Sequence, residues 1–360
     1  MMNKQRLNTI IGKMEQKGLD QVVITSPESI FYLLGEWIHP GERMLALYIH
    51  KTGKTKLVLN ALFPIEKDLG VPIEFYNDTE DPIEYLMKDV EDKVVMGIDK
   101  EWASHFLIRL MKKMPDLKIE IGSSVVDEAR MIKDEEEREL MRKASAINDK
   151  VMAEAIEIVK SGCSELEVGK RLADVYAKYD TPAFSFDPLI CYGKGAAEPH
   201  HSSDETKWSN NQCVIVDIGG VTDNYASDMT RSFFIGEPNE EYKKIYALVK
   251  KANEAGIQAV KPGAKFSDID KAARKVIEDG GYGPYFTHRT GHNIGISCHE
   301  APDVSMTNDM EVQEGMAFSI EPGIYLSGKY GVRIEDLVLV TKDGCEVLNK
   351  YPKDLTIVKA

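Results

Sequence analysis

Two stretches of this chain set acids into otherwise apolar strands. Val214-Ile215-Val216-Asp217-Ile218-Gly219-Gly220 carries Asp217, and Ala226-Ser227-Asp228-Met229-Thr230-Arg231 carries Asp228 eleven residues later. An antiparallel return centred between Thr222 and Asp223 sets Asp217 opposite Asp228, with cross-strand Cβ atoms about 5 Å apart. The figure recurs in Ala317-Phe318-Ser319-Ile320-Glu321-Pro322-Gly323 and Gly331-Val332-Arg333-Ile334-Glu335-Asp336, where a hairpin centred on Gly328 sets Glu321 opposite Glu335. Like charges that close repel unless a cation or a proton lies between them. Burying four carboxylates is costly without such compensation.

Histidines gather between the two figures. Five of the eight lie between positions 200 and 299: His200, His201, His288, His292 and His299. Tyr285-Phe286-Thr287-His288-Arg289-Thr290-Gly291-His292-Asn293-Ile294-Gly295 places two of them four apart, with glycines alongside. Four carboxylates and one imidazole suit two hard or borderline divalent cations. Four negative ligands balance two doubly charged ions and leave a bridging hydroxide as the nucleophile. Each acid alone reads as a turn or cap residue. The repeated pair around a histidine cluster is what points to metal chemistry.

These residues need a scaffold, and its elements are legible. Asp134-Glu135-Glu136-Glu137 places acids in a first helical turn, where the helix dipole favours them. Leu140, Met141, Ala144, Ile147, Val151, Ala155 and Val159 then recur at helical spacing up to Ser161-Gly162. Ser164-Glu165-Leu166-Glu167 is a capping-box pattern opening a helix through Leu172, Val175 and Tyr176. About a hundred residues on, Ser267-Asp268-Ile269-Asp270 opens a similar helix through Ala273, Val276 and Ile277, again followed by acid-bearing strands. The echo predicts two halves related by an approximate two-fold axis.

Upstream, Gln21-Val22-Val23-Ile24, Met44-Leu45-Ala46-Leu47-Tyr48-Ile49, Lys56-Leu57-Val58-Leu59 and Val94-Val95-Met96-Gly97-Ile98-Asp99 read as strands, with helices around Ile30, Leu33, Leu34 and over residues 83–90. This α/β region holds no catalytic constellation of its own. A boundary falls within residues 123–133, giving an N-terminal domain over 1–125 and a catalytic domain over 126–360. At 360 residues the chain exceeds what one core usually supports, roughly 250 to 300 residues, so two domains are expected.

Composition removes several classes of function. A formal net charge of −14 disfavours nucleic acid and anionic membranes as partners. The five cysteines form no Cys-x-x-Cys pair, and their odd number argues against a disulfide framework. The polar start and the lack of a long apolar run predict a cytoplasmic protein.

The acid and histidine motifs with their spacings resemble the creatinase, prolidase and aminopeptidase P group of metallopeptidases. The resemblance covers nearly the whole chain. Val23-Ile24-Thr25-Ser26-Pro27 and Ile30-Phe31-Tyr32-Leu33-Leu34-Gly35 look like that family's small α/β domain, and Arg130-Met131-Ile132-Lys133 like its domain linker. The resemblance implies an α/β (α+β) chain: a creatinase-like N-terminal domain followed by a pseudo-two-fold pita-bread catalytic domain. It implies two divalent cations, manganese or cobalt first and zinc or iron as alternatives. Asp217 would chelate one, Asp228 and Glu335 would bridge, and His292 and Glu321 would complete the second. Glu321 also resembles the family's general base. Glu198-Pro199-His200 matches the position of a histidine acting at the scissile nitrogen; His201 lies outside that motif position. Cys298-His299-Glu300 matches a histidine that stabilises the oxyanion. His288 corresponds to a further active-site histidine, and Arg333 to an arginine that orients the carboxylates.

The implied activity is hydrolysis of the Xaa-Pro bond at the N-terminus of dipeptides or short peptides, by a homodimer acting on small peptide substrates. Segment 35–40, with His39, would reach the partner's active site. A non-peptidase amidohydrolase on the same scaffold is the alternative enzyme. Many prolidases continue from the motif histidine with Glu-x-Pro-Arg, the arginine being associated with a dipeptide's free carboxylate. Here the run is His299-Glu300-Ala301-Pro302-Asp303. Asp303 at that place predicts tolerance of substrates longer than dipeptides, which makes an Xaa-Pro aminopeptidase the nearest alternative.

Overall fold

In the computed structural model, which describes residues 1–199 and 201–359, the apolar runs of the N-terminal region pair into one sheet. The chain divides into two compact units, Met1–Arg130 and Met131–Ala360. In the first, α1 (Lys4–Gln16), β1 (Gln21–Ile24) and α2 (Pro27–Leu34) precede the hairpin of β2 (Ala46–His50) and β3 (Thr55–Asn60). Then come β4 (Ile73–Tyr76), α3 (Pro82–Met87), β5 (Val95–Ile98), α4 (Ser104–Lys113), β6 (Lys118–Ile121) and α5 (Ser124–Met131), whose last residue begins the second unit. The sheet order is β4-β3-β2-β1-β5-β6. Val23, Tyr48, Val58 and Met96 pack with Ile83, Leu86, Phe106 and Leu110 in its core. The edge strands β4 and β6 are the ones that sequence pattern does not reveal. Strand β4 is partly exposed and β6 largely so, and their side chains lack the apolar run of the central strands.

The second unit opens on α6 (Glu135–Lys160), whose N-terminus is a complete capping box between Asp134 and Glu137. Helix α7 (Glu165–Ala177) carries another, between Ser164 and Glu167. Strands β7 (Ala183–Phe184), β8 (Leu189–Tyr192), β9 (Gln212–Ile218), β10 (Gly220–Thr222), β11 (Tyr225–Ala226) and β12 (Met229–Ile235) follow. The second half repeats the theme with α8 (Glu240–Ala259), α9 (Phe266–Asp279), β13 (Gly291–Asn293), β14 (Glu300–Val304), β15 (Ala317–Ile320), β16 (Gly323–Leu326), β17 (Tyr330–Arg333) and β18 (Asp336–Val340). Strands β19 (Cys345–Val347) and β20 (Thr356–Val358) close the chain. Among the described residues the two principal sheets run β20-β12-β9-β8 and β14-β13-β15-β18-β19.

Strands β9 and β12 are buried on both faces, and alternation assigns each face a different cover. Val214, Val216 and Ile218 meet Val151, Ala155 and Leu172 of the α6–α7 pair. Cys213, Ile215 and Phe234 meet Tyr242, Ile245 and Val249 of α8. Asp217 belongs by period to the face of Cys213 and Ile215, and that face also packs on Val332 and Ile334 of the other half. A strand this apolar therefore presents its one acid to the seam between the halves.

Candidate metal centre

The first hairpin differs from its expected register. Asp217 lies opposite Thr230, and Ile218 opposite Met229. The cause is the turn. Asp223 and Asn224 take φ of 48° and 71°, the two positive values of a type I′ turn, so the hairpin is centred between them. That is one residue later than a turn centred between Thr222 and Asp223, which moves the register by two. A two-residue shift keeps every side chain on its face. Asp217 and Asp228 thus share a face as diagonal neighbours rather than direct partners. Gly219 lies between them, where an added Cβ would stand 2.1 Å from the Ser227 carbonyl oxygen, so no larger residue fits that approach.

The second figure keeps the register that spacing predicts. The β15–β18 pairing of Ile320 with Asp336 and the β16–β17 pairing of Gly323 with Arg333 share one register, whose continuation sets Glu321 opposite Glu335. His292 enters from β13, beside the bulge between His292 and Asn293. Its Nε2 stands 3.5 Å from both Asp228 Oδ2 and Glu321 Oε1. The Ser319 hydroxyl accepts from the His292 backbone N–H and donates to Glu321 Oε1 at 3.2 Å.

A buried hydrogen-bond chain ties the acids of the two halves together. The Arg333 guanidinium donates to Asp217 Oδ2 at 2.5 Å, to Thr230 Oγ1 at 3.1 Å and to the Tyr325 hydroxyl at 3.0 Å. Thr230 in turn donates to Glu335 Oε2 at 2.7 Å. Arg333 therefore orients Asp217 directly and Glu335 through one hydroxyl. Thr230, Tyr325 and Ser319 were not singled out from sequence. Parity could have found Thr230, which lies two residues after Asp228 on the same face.

The charges do not balance. Asp217, Asp228, His292, Arg333 and Glu335 are all buried. Desolvation pushes the Asp228 and Glu335 carboxyls well above the ordinary range, and the neighbouring acids push them further. Asp217 is raised by desolvation too, but the Arg333 charge opposes the shift. Asp217 Oδ1, Asp228 Oδ1 and Glu335 Oε1 are buried with no hydrogen-bond partner among the described residues. Oriented, unpartnered carboxylate oxygens grouped with an imidazole nitrogen fit a cation, which supplies both the missing ligand field and the missing charge. Asp228, His292 and Glu335 offer donor atoms all within 4.8 Å of one another.

The remaining expected residues fall as follows. His288 Nε2 meets the Tyr325 hydroxyl at 2.9 Å and its Nδ1 the Arg289 carbonyl at 2.7 Å. A carbonyl only accepts, so Nδ1 carries the proton and Nε2 accepts from Tyr325. Desolvation lowers the His288 pKa, in keeping with that neutral ring. His299 is exposed on one side, with its ring edge-to-face against His292 at 4.2 Å. Desolvation, then the neighbouring His292 and Arg289, lower its pKa to about 4. Beside it, Glu300 pairs with the buried Lys133 at 3.3 Å. Asp303 pairs with His292 across β13 and β14, so the two share a face. Cys298 Sγ donates to Asp228 Oδ2 at 3.3 Å. His200 lies outside the described residues. His201, next in sequence, bonds to the buried Glu165 at 2.8 Å. His39 belongs to the first unit, where its exposed ring stacks on Trp37 and Trp37 on Phe31.

Comparison with known proteins adds a second line of findings. Two family models match the chain: metallopeptidase family M24 over residues 139–342, and the creatinase/prolidase N-terminal domain over residues 6–132. An uncharacterized peptidase of Staphylococcus aureus (strain USA300) is 36% identical over 97% of this chain and 99% of its own length. A solved dipeptidase from Pyrococcus horikoshii OT3 is similar with a TM-score of 0.91 at 34% identity, over 98% of this chain and 100% of its own. A recombinant prolidase from Thermococcus sibiricus gives a TM-score of 0.93 at 31% identity, over 100% of both chains.

Proposed function

Because the chain belongs to metallopeptidase family M24, we propose that it is a dinuclear exopeptidase cleaving the Xaa-Pro bond at the N-terminus of dipeptides or short peptides. The observation that carries this reading is the set of unpartnered buried oxygens on Asp217, Asp228 and Glu335, the last two residues grouped with His292. Asp217, Asp228, His292, Glu321 and Glu335 would hold two cations, manganese or cobalt, which when bound polarise the scissile carbonyl and acidify water.

Each side chain then has a task. Glu321, held on one oxygen by Ser319, takes a proton from the attacking water and delivers it to the leaving nitrogen. His299, neutral at pH 7 with its lowered pKa, donates an N–H to the oxyanion. His200 assists at the scissile nitrogen, which in a bond to proline is a tertiary amide without its own N–H. His288 and Tyr325 keep Arg333, and through it the carboxylates, in place. The chain's relatives include a prolidase, and the acidic centre suits a cationic substrate amine.

Asp303 favours a second reading, an Xaa-Pro aminopeptidase acting on longer peptides. It stands across from His292, where its charge disfavours a dipeptide's free carboxylate by on the order of 1 kcal/mol when solvent-exposed. We further propose a cytoplasmic homodimer in which His39 reaches the partner's site; a fully active monomer by light scattering would refute that contribution. The deciding experiment is a panel of Xaa-Pro dipeptides against Xaa-Pro-Xaa tripeptides, on chelated protein with and without manganese. Hydrolysis that survives verified metal removal sinks the mechanism. Cleavage of dipeptides alone retires the role of Asp303, whereas Asp303→Arg is expected to shift preference toward free dipeptides.

A further inference from the structure

Cys298 borders the carboxylate cluster, yet the proposed hydrolysis gives it no task. Its Sγ lies 3.3 Å from Asp228 Oδ2, and the same oxygen lies 3.5 Å from His292 Nε2. A ring nitrogen of His292, the Cys298 sulfur and a ring nitrogen of His299 are all within 4.8 Å of one another. A tetrahedral cation with bonds of about 2.0 Å to nitrogen or oxygen and about 2.3 Å to sulfur holds adjacent donors roughly 3.3 to 3.6 Å apart. The two separations measured from Asp228 Oδ2 already have that size. Nor does the thiol stand alone, since buried Asp228 keeps Oδ1 without a partner among the described residues.

We propose that Asp228, His292, Cys298 and His299 form a site for a thiophilic divalent cation of the zinc class, overlapping the paired-carboxylate centre. Thiolate sulfur selects zinc or cadmium over manganese, which prefers carboxylate and water oxygen. On binding, the S–H bond of Cys298 breaks, the sulfur–cation bond forms, and the proton passes to solvent with no change of oxidation state. The site draws Asp228 and His292 away from the set assigned to the hard-cation pair, so a zinc-class ion at Cys298 excludes a complete manganese centre. The inference rests on the metal-ligand reading of Asp228 and His292 and is independent of the peptide substrate.

The test is a cadmium titration of the metal-free protein. Wild type should develop a cadmium–thiolate absorbance, and Cys298→Ser should lose it and bind cadmium roughly tenfold or more weakly. Cys163 and Cys345 are only partly buried, so the signal is read as the difference between wild type and variant. Equal absorbance in both overturns the proposal. Cadmium NMR of the unsubstituted protein decides the case should the variant misfold: a shift lacking sulfur ligation at the tightest site is equally fatal. A protein that binds cadmium through Cys298 but cleaves no Xaa-Pro bond supports this site and sinks the peptidase reading. Cleavage without cadmium–thiolate absorbance does the reverse.

Discussion

In the first half of the metallopeptidase unit Asp217 faces Thr230 and stands diagonal to Asp228, whereas in the second half Glu321 and Glu335 continue one register as opposite neighbours. Both arrangements bring two carboxylates to one face. The difference lies in the turn: positive φ at Asp223 and Asn224 against a hairpin centred on Gly328. It has a chemical consequence. The offset puts a hydroxyl, not an acid, opposite Asp217, and that hydroxyl bridges Arg333 to Glu335 across the seam. The halves are related in plan, but the first supplies the link and the second supplies the guanidinium. Asp217 is thereby compensated by a cation already in the protein, while at Asp228 and Glu335 the neighbouring acids add to the cost of burial.

That asymmetry can be broken at graded cost. Asp228→Asn is expected to abolish hydrolysis altogether, because an amide bridges two cations poorly; metal content measured beside activity should fall with it. A variant retaining both would return Asp228 to an ordinary turn residue. His299→Ala should lower kcat about a hundredfold, about 3 kcal/mol, with little change in KM, since its partner forms only as the bond breaks. A raised KM with unchanged kcat would move His299 out of that role.

The uncompensated pair makes a pH prediction. Asp228 and Glu335 are raised in the folded protein, so their stabilising contribution is complete below the unfolded value of about 4 and is lost as pH rises through the folded values. Relative to the manganese-saturated form, metal-free protein should therefore lose stability as pH rises above about 4, by up to about 1.4 kcal/mol per pH unit for each of the two groups. Saturating manganese should flatten the slope. An unchanged slope with the metal bound would detach these two acids from it. Thr230→Val removes the link and strands donors and acceptors on both sides, at about 1 to 3 kcal/mol by denaturant titration. The smallest effect belongs to the turns. Asn224→Val and Gly328→Val, at φ of 71° and 72°, should each cost about 1 to 2 kcal/mol.

Much of this was legible in the residues. The α/β character of the N-terminal region and the approximate two-fold repeat of the second unit followed from local signals, whereas the N-terminal region's creatinase-like identity came from the family resemblance. The acidic first turn after Asp134, the capping box at Ser164, apolar periodicity in α6, and acids at the ends of apolar strands depend on neighbours within a few residues. So does the face on which each acid lies, because period two survives a register shift of two. The edge strands β4 and β6 escaped because partly or largely exposed strands carry little pattern.

The sequence by itself determined which residue types converge and on which faces, since alternation and spacing are local properties of the chain. Only the tertiary structure decided which partner each finds. Arg333 meets Asp217 from 116 positions away, Thr230 meets Glu335 from 105 and Cys298 meets Asp228 from 70. Such contacts are set by the packing of one half against the other and by a turn whose backbone angles are left-handed. Residue type alone does not dictate those angles at Asp223 and Asn224, and the register of Asp228 against Asp217 follows from them.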